Sequence, residues 1–348
     1  MEAEQKKNGT SWKTLDVLVG PGPSNAAQTS IAMTPDSQWI AIGYARHTNG
    51  SQIQIYQEVD GFWKPASSPI IDQNGTDTAW FGYALDISND GMILAVGAPQ
   101  MKSPNGDGSG GVQMFQQNSN GNWTDMGSVL YGSMANEFFG WTVAISTSST
   151  NGQLRIAAGS PVSNDTTGVV RVYDCDSTDW GQVGTDLVGD VPLNRFGESV
   201  AMSDDGSVLA VGIRGSAFEV GQAKVYREVN GVWELDDMSF LGTEPGDGFG
   251  ASVALSADGT VLAIGGPQNA KFGDRAGIIS VYNYDPSNGL WKQKGSSLGS
   301  PNVTDFGTSI ALSNDGQRVV GGAPTTTFDG TIARAGSVLV FDSDDDTQ

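Results

Sequence analysis

Side chains that could perform chemistry are few in this chain, and their types already exclude several kinds of site. The 348 residues contain one histidine, His47, and one cysteine, Cys175, so no site that needs two imidazoles and no internal disulfide can form. The 39 acidic residues outnumber the 18 basic ones and give a formal net charge of −21. Nucleic acid, which is bound through a basic surface, is therefore not an expected partner. We assign no catalytic residue and no metal site from the sequence. The remaining kind of site is one that binds a ligand through charged and aromatic side chains.

Basic residues are concentrated in one class of loop, which follows a short apolar run such as Leu94-Ala95-Val96-Gly97. The candidate binding residues in these loops are Arg46, His47, Lys102, Arg214, Lys271, Arg275 and Arg334. Trp80 and Trp141 flank a recurring Phe-Gly pair nearby and are candidates for stacking on a sugar ring. Together these residues predict a charged and hydrogen-bonding ring that receives a sulfated or carboxylated glycan, or an acidic protein loop.

Acidic residues in the adjoining class of loops support a plainer alternative. They are Asp72, Asp77, Glu137, Asp190, Glu244, Asp247 and Asp305. Opposite charges in neighbouring loops can form exposed salt bridges, each worth only ~0.2 to 1 kcal/mol. Both interpretations stay open from the sequence.

A repeat of about 56 residues organises the whole chain and positions these loops. Its units begin near residues 27, 81, 139, 196, 249 and 306, as in FGASVALSADGTVLAIGGP from Phe249. The spacings of 54, 58, 57, 53 and 57 residues show that the unit length is well held. The repeat predicts six copies of one structural unit in a single domain over residues 1–348, with a polar tail at 1–10 and an acidic tail at 343–348.

Each unit reads as four short β-strands. The first run alternates and ends at Ser-x-Asp-Gly, which is typical of a hairpin turn; the second run is short and almost entirely apolar, as in a strand buried on both faces. A third alternating run, such as Ala223-Lys224-Val225-Tyr226, precedes an Asn-Gly or Asp-Gly turn, and a tryptophan opens the fourth run. This pattern predicts an all-β protein, a six-bladed β-propeller of four-stranded antiparallel blades.

The termini indicate how the ring closes. The last unit ends after its third strand at Phe341, while residues 8–16 around Trp12 resemble the missing fourth strand. We therefore expect the N-terminal strand to complete the last blade, which removes the exposed edges of an open array. Because strands alternate in direction, the long loops that carry the basic residues all fall on one face of the disc. We call it the long-loop face.

The recurring Phe-Gly, Ser-x-Asp-Gly, Leu-Ala-Val-Gly-Ala-Pro and Gly-x-Val-x-Val-Tyr motifs resemble the FG-GAP repeat of the propeller head of integrin α chains and of many surface proteins. The resemblance covers residues 10 to 342 and implies a propeller used for adhesion or ligand binding, commonly outside the cell. Integrin repeats often carry a calcium loop between the first two strands, which makes calcium a possible ligand. Here that turn is only Ser88-Asn89-Asp90-Gly91, which cannot supply the six to eight oxygens that calcium takes, so we expect no cofactor.

The function expected from the sequence is non-enzymatic binding or adhesion, with a glycan or protein ligand on the long-loop face. A structural tile of a surface or matrix assembly is the alternative, and a carboxylate-based glycoside-processing enzyme is a weaker one. Six Asn-x-Ser/Thr sequons favour an extracellular or cell-surface glycoprotein; they begin at Asn8, Asn49, Asn74, Asn122, Asn164 and Asn302. No apolar stretch is long enough for membrane insertion, and the sequence leaves the oligomeric state open.

Overall fold

The computed structural model describes residues 18, 28–46, 50–72, 79–163, 167–176, 179–215, 219–236, 238–327 and 335–343. Over these residues the named elements are 27 β-strands arranged in six antiparallel sheets. The predicted closing strand around Trp12 lies outside the described residues, as do His47, Asp77 and Arg334. None of the described segments forms a helix with the length and apolarity to span a bilayer.

The six sheets follow one another along the chain. Blade 1 holds β1 (Gln28–Met33), β2 (Trp39–Ala45), β3 (Gln52–Val59), β4 (Phe62–Pro65) and β5 (Ile70–Ile71). Blade 2 holds β6 (Ala84–Ile87), β7 (Ile93–Ala98), β8 (Gly111–Gln117), β9 (Trp123–Asp125) and β10 (Leu130–Tyr131). Blade 3 holds β11 (Thr142–Thr147), β12 (Leu154–Ser160), β13 (Val169–Cys175), β14 (Trp180–Gln182) and β15 (Leu187–Val188). Blade 4 holds β16 (Phe196–Met202), β17 (Val208–Ile213), β18 (Gln222–Val229), β19 (Val232–Leu235) and β20 (Phe240–Leu241). Blade 5 holds β21 (Ser252–Leu255), β22 (Val261–Gly266), β23 (Ile278–Asp285) and β24 (Leu290–Gln293), and blade 6 holds β25 (Ser309–Leu312), β26 (Arg318–Ala323) and β27 (Ser337–Asp342).

The first strand of each blade is innermost, and these strands contact one another in chain order from blade 1 to blade 6. The predicted six-bladed β-propeller is therefore confirmed. The outer edge differs from the prediction, because the fourth strand of blades 1 to 4 is broken into two pieces that both pair with the third strand. In blade 1, Pro65 of β4 pairs with Tyr56, and Ile71 of β5 pairs with Gln52 at the other end of β3.

The repeat motifs are explained by contacts between blades. Phe139 is fully buried in the core between blades 2 and 3. A Cβ atom added to Gly97 of blade 2 would lie 2.1 Å from the carbonyl oxygen of Gly140 in blade 3. The same clash would occur at Gly212 against Gly250. The glycines of the second strand and of the Phe-Gly pair are therefore required by close backbone approach between adjacent blades.

The Ser-x-Asp-Gly segments form self-contained hairpin turns, as predicted. The Ser88 hydroxyl donates to Asp90 Oδ1 at 2.6 Å, and the same oxygen accepts from the backbone N–H of Met92 at 3.0 Å. Gly91 has a φ of 72°, which favours glycine. The carboxylate is thus used inside the turn.

The first and last blades present apolar side chains at positions that the other blades bury. Val338 of β27 is 69% exposed, whereas its counterparts Ala223 and Ile279 are fully buried. Ile31 of β1 is 65% exposed, whereas its counterpart Val200 is 8% exposed. We call these two surfaces the seam faces. Closure of the ring between the first and last blades by the N-terminal strand stays a prediction.

Candidate functional site

The long-loop face carries a line of side chains around the mouth of the central channel, placed there by the Phe-Gly pairs. The residue before each pair has a left-handed backbone, with φ between 55° and 67°. These residues are Trp80, Phe138, Arg195, Gly248 and Asp305. In blades 2 to 4 the residue after each pair is Tyr83, Trp141 or Glu198; Tyr83 and Trp141 directly precede the innermost strand, and Glu198 is the third residue of β16. The residues on either side of these pairs are therefore held near the start of the innermost strand.

Three aromatic rings form a continuous wall across blades 2 and 3. Trp80 stacks on Tyr83 with ring centroids 5.6 Å apart and an interplanar angle of 20°. Tyr83 contacts Trp141 of the next blade at 4.7 Å, with a tilt of 49°. The guanidinium carbon of Arg46 lies 4.9 Å from the Trp80 ring centroid and extends the wall into blade 1. These rings offer an aromatic surface that a small ring-shaped molecule can contact.

A charged group continues the wall into blade 4. The guanidinium carbon of Arg195 lies 5.5 Å from the Trp141 ring centroid, and its Nε lies 2.7 Å from Glu198 Oε2. Burial raises the pKa of the Glu198 carboxyl above its ordinary value, while the positive charges of Arg195 and Arg214 oppose that rise. The Glu198 side chain is only 11% exposed, but the Arg195 side chain is 33% exposed and remains open to solvent.

We call this set of seven residues the mouth arc: Arg46, Trp80, Tyr83, Trp141, Arg195, Glu198 and Arg214. It combines an aromatic wall, a carboxylate with a raised pKa and guanidinium groups beside that carboxylate. A carboxylate of this kind can accept a proton from water, and guanidinium groups can stabilise negative charge that develops on an oxygen.

Four residues proposed from the sequence belong to the mouth arc, namely Arg46, Trp80, Trp141 and Arg214. Three others lie elsewhere on the long-loop face. Lys102 forms an exposed ion pair of 2.8 Å with Asp107, and Lys271 lies over the ring of Phe272. Arg275 forms an ion pair of 2.7 Å with Asp305. The pairs of Lys102 and Arg275 have the form of the simple salt bridges considered above, and ligand binding by these residues stays a prediction.

Several of the acidic loop residues stabilise the loops in which they lie. Glu137 is fully buried, accepts hydrogen bonds from the backbone N–H groups of Ser133 and Met134, and pairs with Arg171 at 2.6 Å. In blade 5, Asp247 accepts from the N–H of Glu244 at 3.0 Å in the same manner. These carboxylates satisfy loop amides and are not available to a ligand.

Sequence reasoning missed Tyr83, Arg195 and Glu198. A usable signal was present, because each residue directly follows or precedes a Phe-Gly pair, as Trp141 and Trp80 do. Among the described residues, no three His, Cys, Asp or Glu side chains group together as metal ligands.

Comparison with known proteins shows that this chain is similar to solved structures in its fold. No family model and no curated protein sequence matches the chain. Among solved structures, a periplasmic gluconolactonase from Pseudomonas aeruginosa, PpgL, is similar with a TM-score of 0.61 and 17% identity, over 96% of this chain and 89% of the other. A candidate 6-phosphogluconolactonase from Bacteroides uniformis has a TM-score of 0.58 and 12% identity, over 90% and 85%. Sqt1 from Chaetomium thermophilum has a TM-score of 0.54 and 19% identity, over 91% and 69%.

These findings correct two expectations from the sequence. The FG-GAP assignment is wrong, because the matching structures include lactonase propellers and no integrin-type repeat protein is among the three described here. The expectation of a non-enzymatic adhesion or carbohydrate-binding protein is wrong for the same reason, since two of these three structures carry the names of lactonases. In this chain the Phe-Gly motifs serve packing: Phe139 is buried between blades, and the glycines of adjacent blades face one another at close range.

Proposed function

We propose that this protein is a hydrolase that opens a lactone, a cyclic ester, at the mouth arc. The observation that carries the proposal is Glu198, a shielded carboxylate with a raised pKa that lies beside Arg195 at the end of an aromatic wall. The names of two structures that share the fold support the same reaction class.

The reaction needs a base, and Glu198 is placed to act as one. Its carboxylate accepts a proton from a water molecule while the water oxygen bonds to the lactone carbonyl carbon. The carbonyl oxygen then carries a negative charge, which the guanidinium group of Arg195 or Arg214 stabilises. When the ring C–O bond breaks, the proton held by Glu198 passes to the departing alkoxide. The product is the open hydroxy acid, and Glu198 is again ionised.

The aromatic wall positions the substrate. Tyr83 and Trp141 meet at 4.7 Å, and the Arg195 guanidinium lies over the Trp141 ring, so a substrate in contact with Trp141 lies next to the charged group. Holding the ester carbonyl within reach of the base replaces a bimolecular encounter by a fixed geometry, which is a large part of what an enzyme contributes.

The test is hydrolysis of glucono-δ-lactone by the purified full chain, measured as acid release above the spontaneous rate. We expect turnover by the wild-type protein and a loss of roughly 10²- to 10⁴-fold in Glu198→Gln, the range for removal of a general base. Glu234→Gln is the matched control, because Glu234 is exposed on the outer strand β19. Equal rates for Glu198→Gln and the wild type, with the Glu234→Gln control active, would overturn the role of Glu198. A panel of γ- and δ-lactones on which the wild-type chain shows no turnover would overturn the hydrolase.

We also propose that the protein works outside the cytosol. Two of its sequons, at Asn122 and Asn302, have exposed asparagines in the structure, and the Pseudomonas protein of the same fold is named as periplasmic. Expression through a eukaryotic secretory pathway, followed by glycosidase treatment, should give a mass shift that Asn122→Gln and Asn302→Gln reduce. Equal mass before and after treatment would contradict the proposal.

A further inference from the structure

One position of the innermost strands breaks the regularity of the repeat. Three places after the residue that follows the Phe-Gly pair, or its equivalent in blade 1, the chain has alanine in five blades and aspartate in blade 2. The five alanines are Ala32, Ala144, Ala201, Ala254 and Ala311. Each of the six residues occupies the same place in the strand pairing, opposite the residue that lies two places before a glycine of the second strand, as Asp86 lies opposite Ala95, which is two places before Gly97.

The carboxylate of Asp86 joins two blades. Its Oδ1 accepts a hydrogen bond from its neighbour Ile87 N–H at 2.9 Å, and its Oδ2 accepts one from Ile145 N–H at 2.8 Å. Ile145 belongs to β11, the innermost strand of blade 3. An alanine methyl group cannot accept a hydrogen bond, so the five blades with alanine lack this side-chain link.

The link ties together the two strands that carry the centre of the aromatic wall. Tyr83 lies three residues before Asp86, and Trp141 lies four residues before Ile145. The hydrogen bond therefore holds β6 and β11 at one relative height, roughly 10 Å below the point where the two rings meet. A slip between these strands would change the 4.7 Å contact of Tyr83 with Trp141 directly.

Stability alone does not explain an aspartate at this place. Five alanines at the same position show that an apolar residue is compatible with the packing of a blade. Burial raises the pKa of Asp86 to about 6, and the nearby charge of Asp204 acts in the same direction, so the ionised carboxylate is disfavoured. Because the charged form costs stability, the aspartate is better explained by the geometry that its hydrogen bonds fix.

We propose that Asp86 is a positioning residue that fixes the spacing of Tyr83 and Trp141 across the boundary between blades 2 and 3. It touches neither a substrate nor the reacting atoms, and it acts through the main chain of β11. The proposal concerns the mouth arc but does not depend on lactone hydrolysis, because it is a statement about the geometry of two rings.

The test is fluorine NMR of the full chain labelled with 5-fluorotryptophan, in which Trp141→Phe and Trp291→Phe assign two resonances. We expect Asp86→Ala, which restores the residue of the other blades, to shift the Trp141 resonance and leave that of Trp291, in blade 5, unchanged. The pH series is recorded in the Glu198→Gln background, which removes the titrating carboxyl that is paired with Arg195 beside the Trp141 ring. There the Trp141 resonance should move with pH around a midpoint near 6, and this movement should be absent when Asp86→Ala or Asp86→Asn is added.

Asp204→Asn provides the matched control. It keeps Asp86 and removes the nearby charge that adds to the effect of burial on the pKa of Asp86, so the midpoint of the Trp141 shift should move to lower pH. An unchanged Trp141 resonance in both Asp86 variants, or a pH-dependent shift that persists without Asp86 in the Glu198→Gln background, would overturn the proposal. Absence of lactone turnover would overturn only the proposed function, since this readout needs no substrate.

Discussion

Arg195 and Glu198 form an ion pair of 2.7 Å at the channel mouth, across the Phe-Gly pair that separates them in the chain. The phenylalanine of that pair is fully buried between blades, so the two charged residues project from a backbone that cannot easily move. The pair is thus held by the packing of the propeller itself. Its protonation state should control the chemistry of the mouth arc.

The first prediction concerns the pH dependence of lactone hydrolysis. Because burial raises the pKa of Glu198, the carboxyl stays protonated to a higher pH than an ordinary glutamate and then cannot act as a base. Activity should rise with pH through a single acid limb whose midpoint lies above the ordinary value of 4.5. A rate profile from pH 4 to pH 7, corrected for spontaneous hydrolysis, measures that midpoint. A profile that is flat over this range would contradict the assignment.

The second prediction concerns Arg214, whose positive charge lowers the pKa of Glu198. Arg214→Ala should move the acid limb to higher pH, because the ionised carboxylate loses a favourable neighbour. Lys292→Ala, which removes an exposed charge from β24, is the control and should leave the limb in place. If the limb stays at the same pH in both variants, Arg214 does not act on the base.

The third prediction concerns Asp86 and stability. Its folded pKa of about 6 lies above the unfolded value of 3.8, so its contribution favours the fold below pH 4 and is lost as the pH rises through 6. Asp86→Ala should therefore gain stability relative to the wild type between pH 4 and pH 7, by up to ~3 kcal/mol at about 1.4 kcal/mol per pKa unit. Urea unfolding at the two pH values measures the difference, and an equal difference at both would contradict the prediction.

The fourth prediction concerns the buried ion pair of Arg155 and Asp174. Arg155 Nε lies 2.6 Å from Asp174 Oδ1, and the arginine side chain is 2% exposed. The equivalent positions in blades 4 and 5 hold Val208 and Val261. Arg155→Val alone should lower the free energy of unfolding by about 3 to 5 kcal/mol, because it leaves the buried Asp174 carboxylate without its cation. Arg155→Val with Asp174→Val should recover part of that loss, since Glu228, whose Oε2 lies 3.9 Å from Arg155 Nη1, still loses its partner in the double variant. Chemical denaturation of the three proteins tests this, and equal stability of the single and double variants would count against it.

The fifth prediction concerns the seam faces. Val338 and Ile31 are exposed although their counterparts in other blades are buried, and Leu18 packs against a blade 1 cluster formed by Ile42, Tyr44 and Tyr56. If residues 1–18 supply the closing strand, deleting them should lower the melting temperature sharply. Deletion of residues 344–348 is the control and should have little effect. Equal melting curves for the wild type and the N-terminal deletion would exclude closure by this segment.

The fold could be predicted from the sequence because its signals are local and repeated. Ser88, Asp90 and Gly91 specify a hairpin by hydrogen bonds within six residues, and Gly97 reports a backbone contact that recurs in the other blades. The break of each outer strand was not predictable in this way, since β4 and β5 pair with the same strand β3 and read as one continuous run.

The site was only partly predictable, because charge and loop length are poor guides to position. Arg275 pairs with Asp305 of the adjoining class of loops, as the salt-bridge alternative expects, and ligand binding by Arg275 stays a prediction. Glu198 was overlooked because its chemistry depends on burial and on Arg195, and neither can be read from composition. The function was misjudged because Phe-Gly motifs determine how blades pack and leave the chemistry of the mouth unspecified.

The left-handed residues before the Phe-Gly pairs have a consequence for how such a protein could change. Each non-glycine residue in that conformation costs roughly 1 to 3 kcal/mol, and the buried phenylalanine beside it keeps the backbone in place whatever the side chain is. Trp80, Arg195 and Asp305 are therefore three different side chains carried by the same backbone conformation at equivalent positions of three blades. Substitution of the residue before a Phe-Gly pair could therefore change ligand selectivity one blade at a time, while the backbone of the propeller keeps its shape.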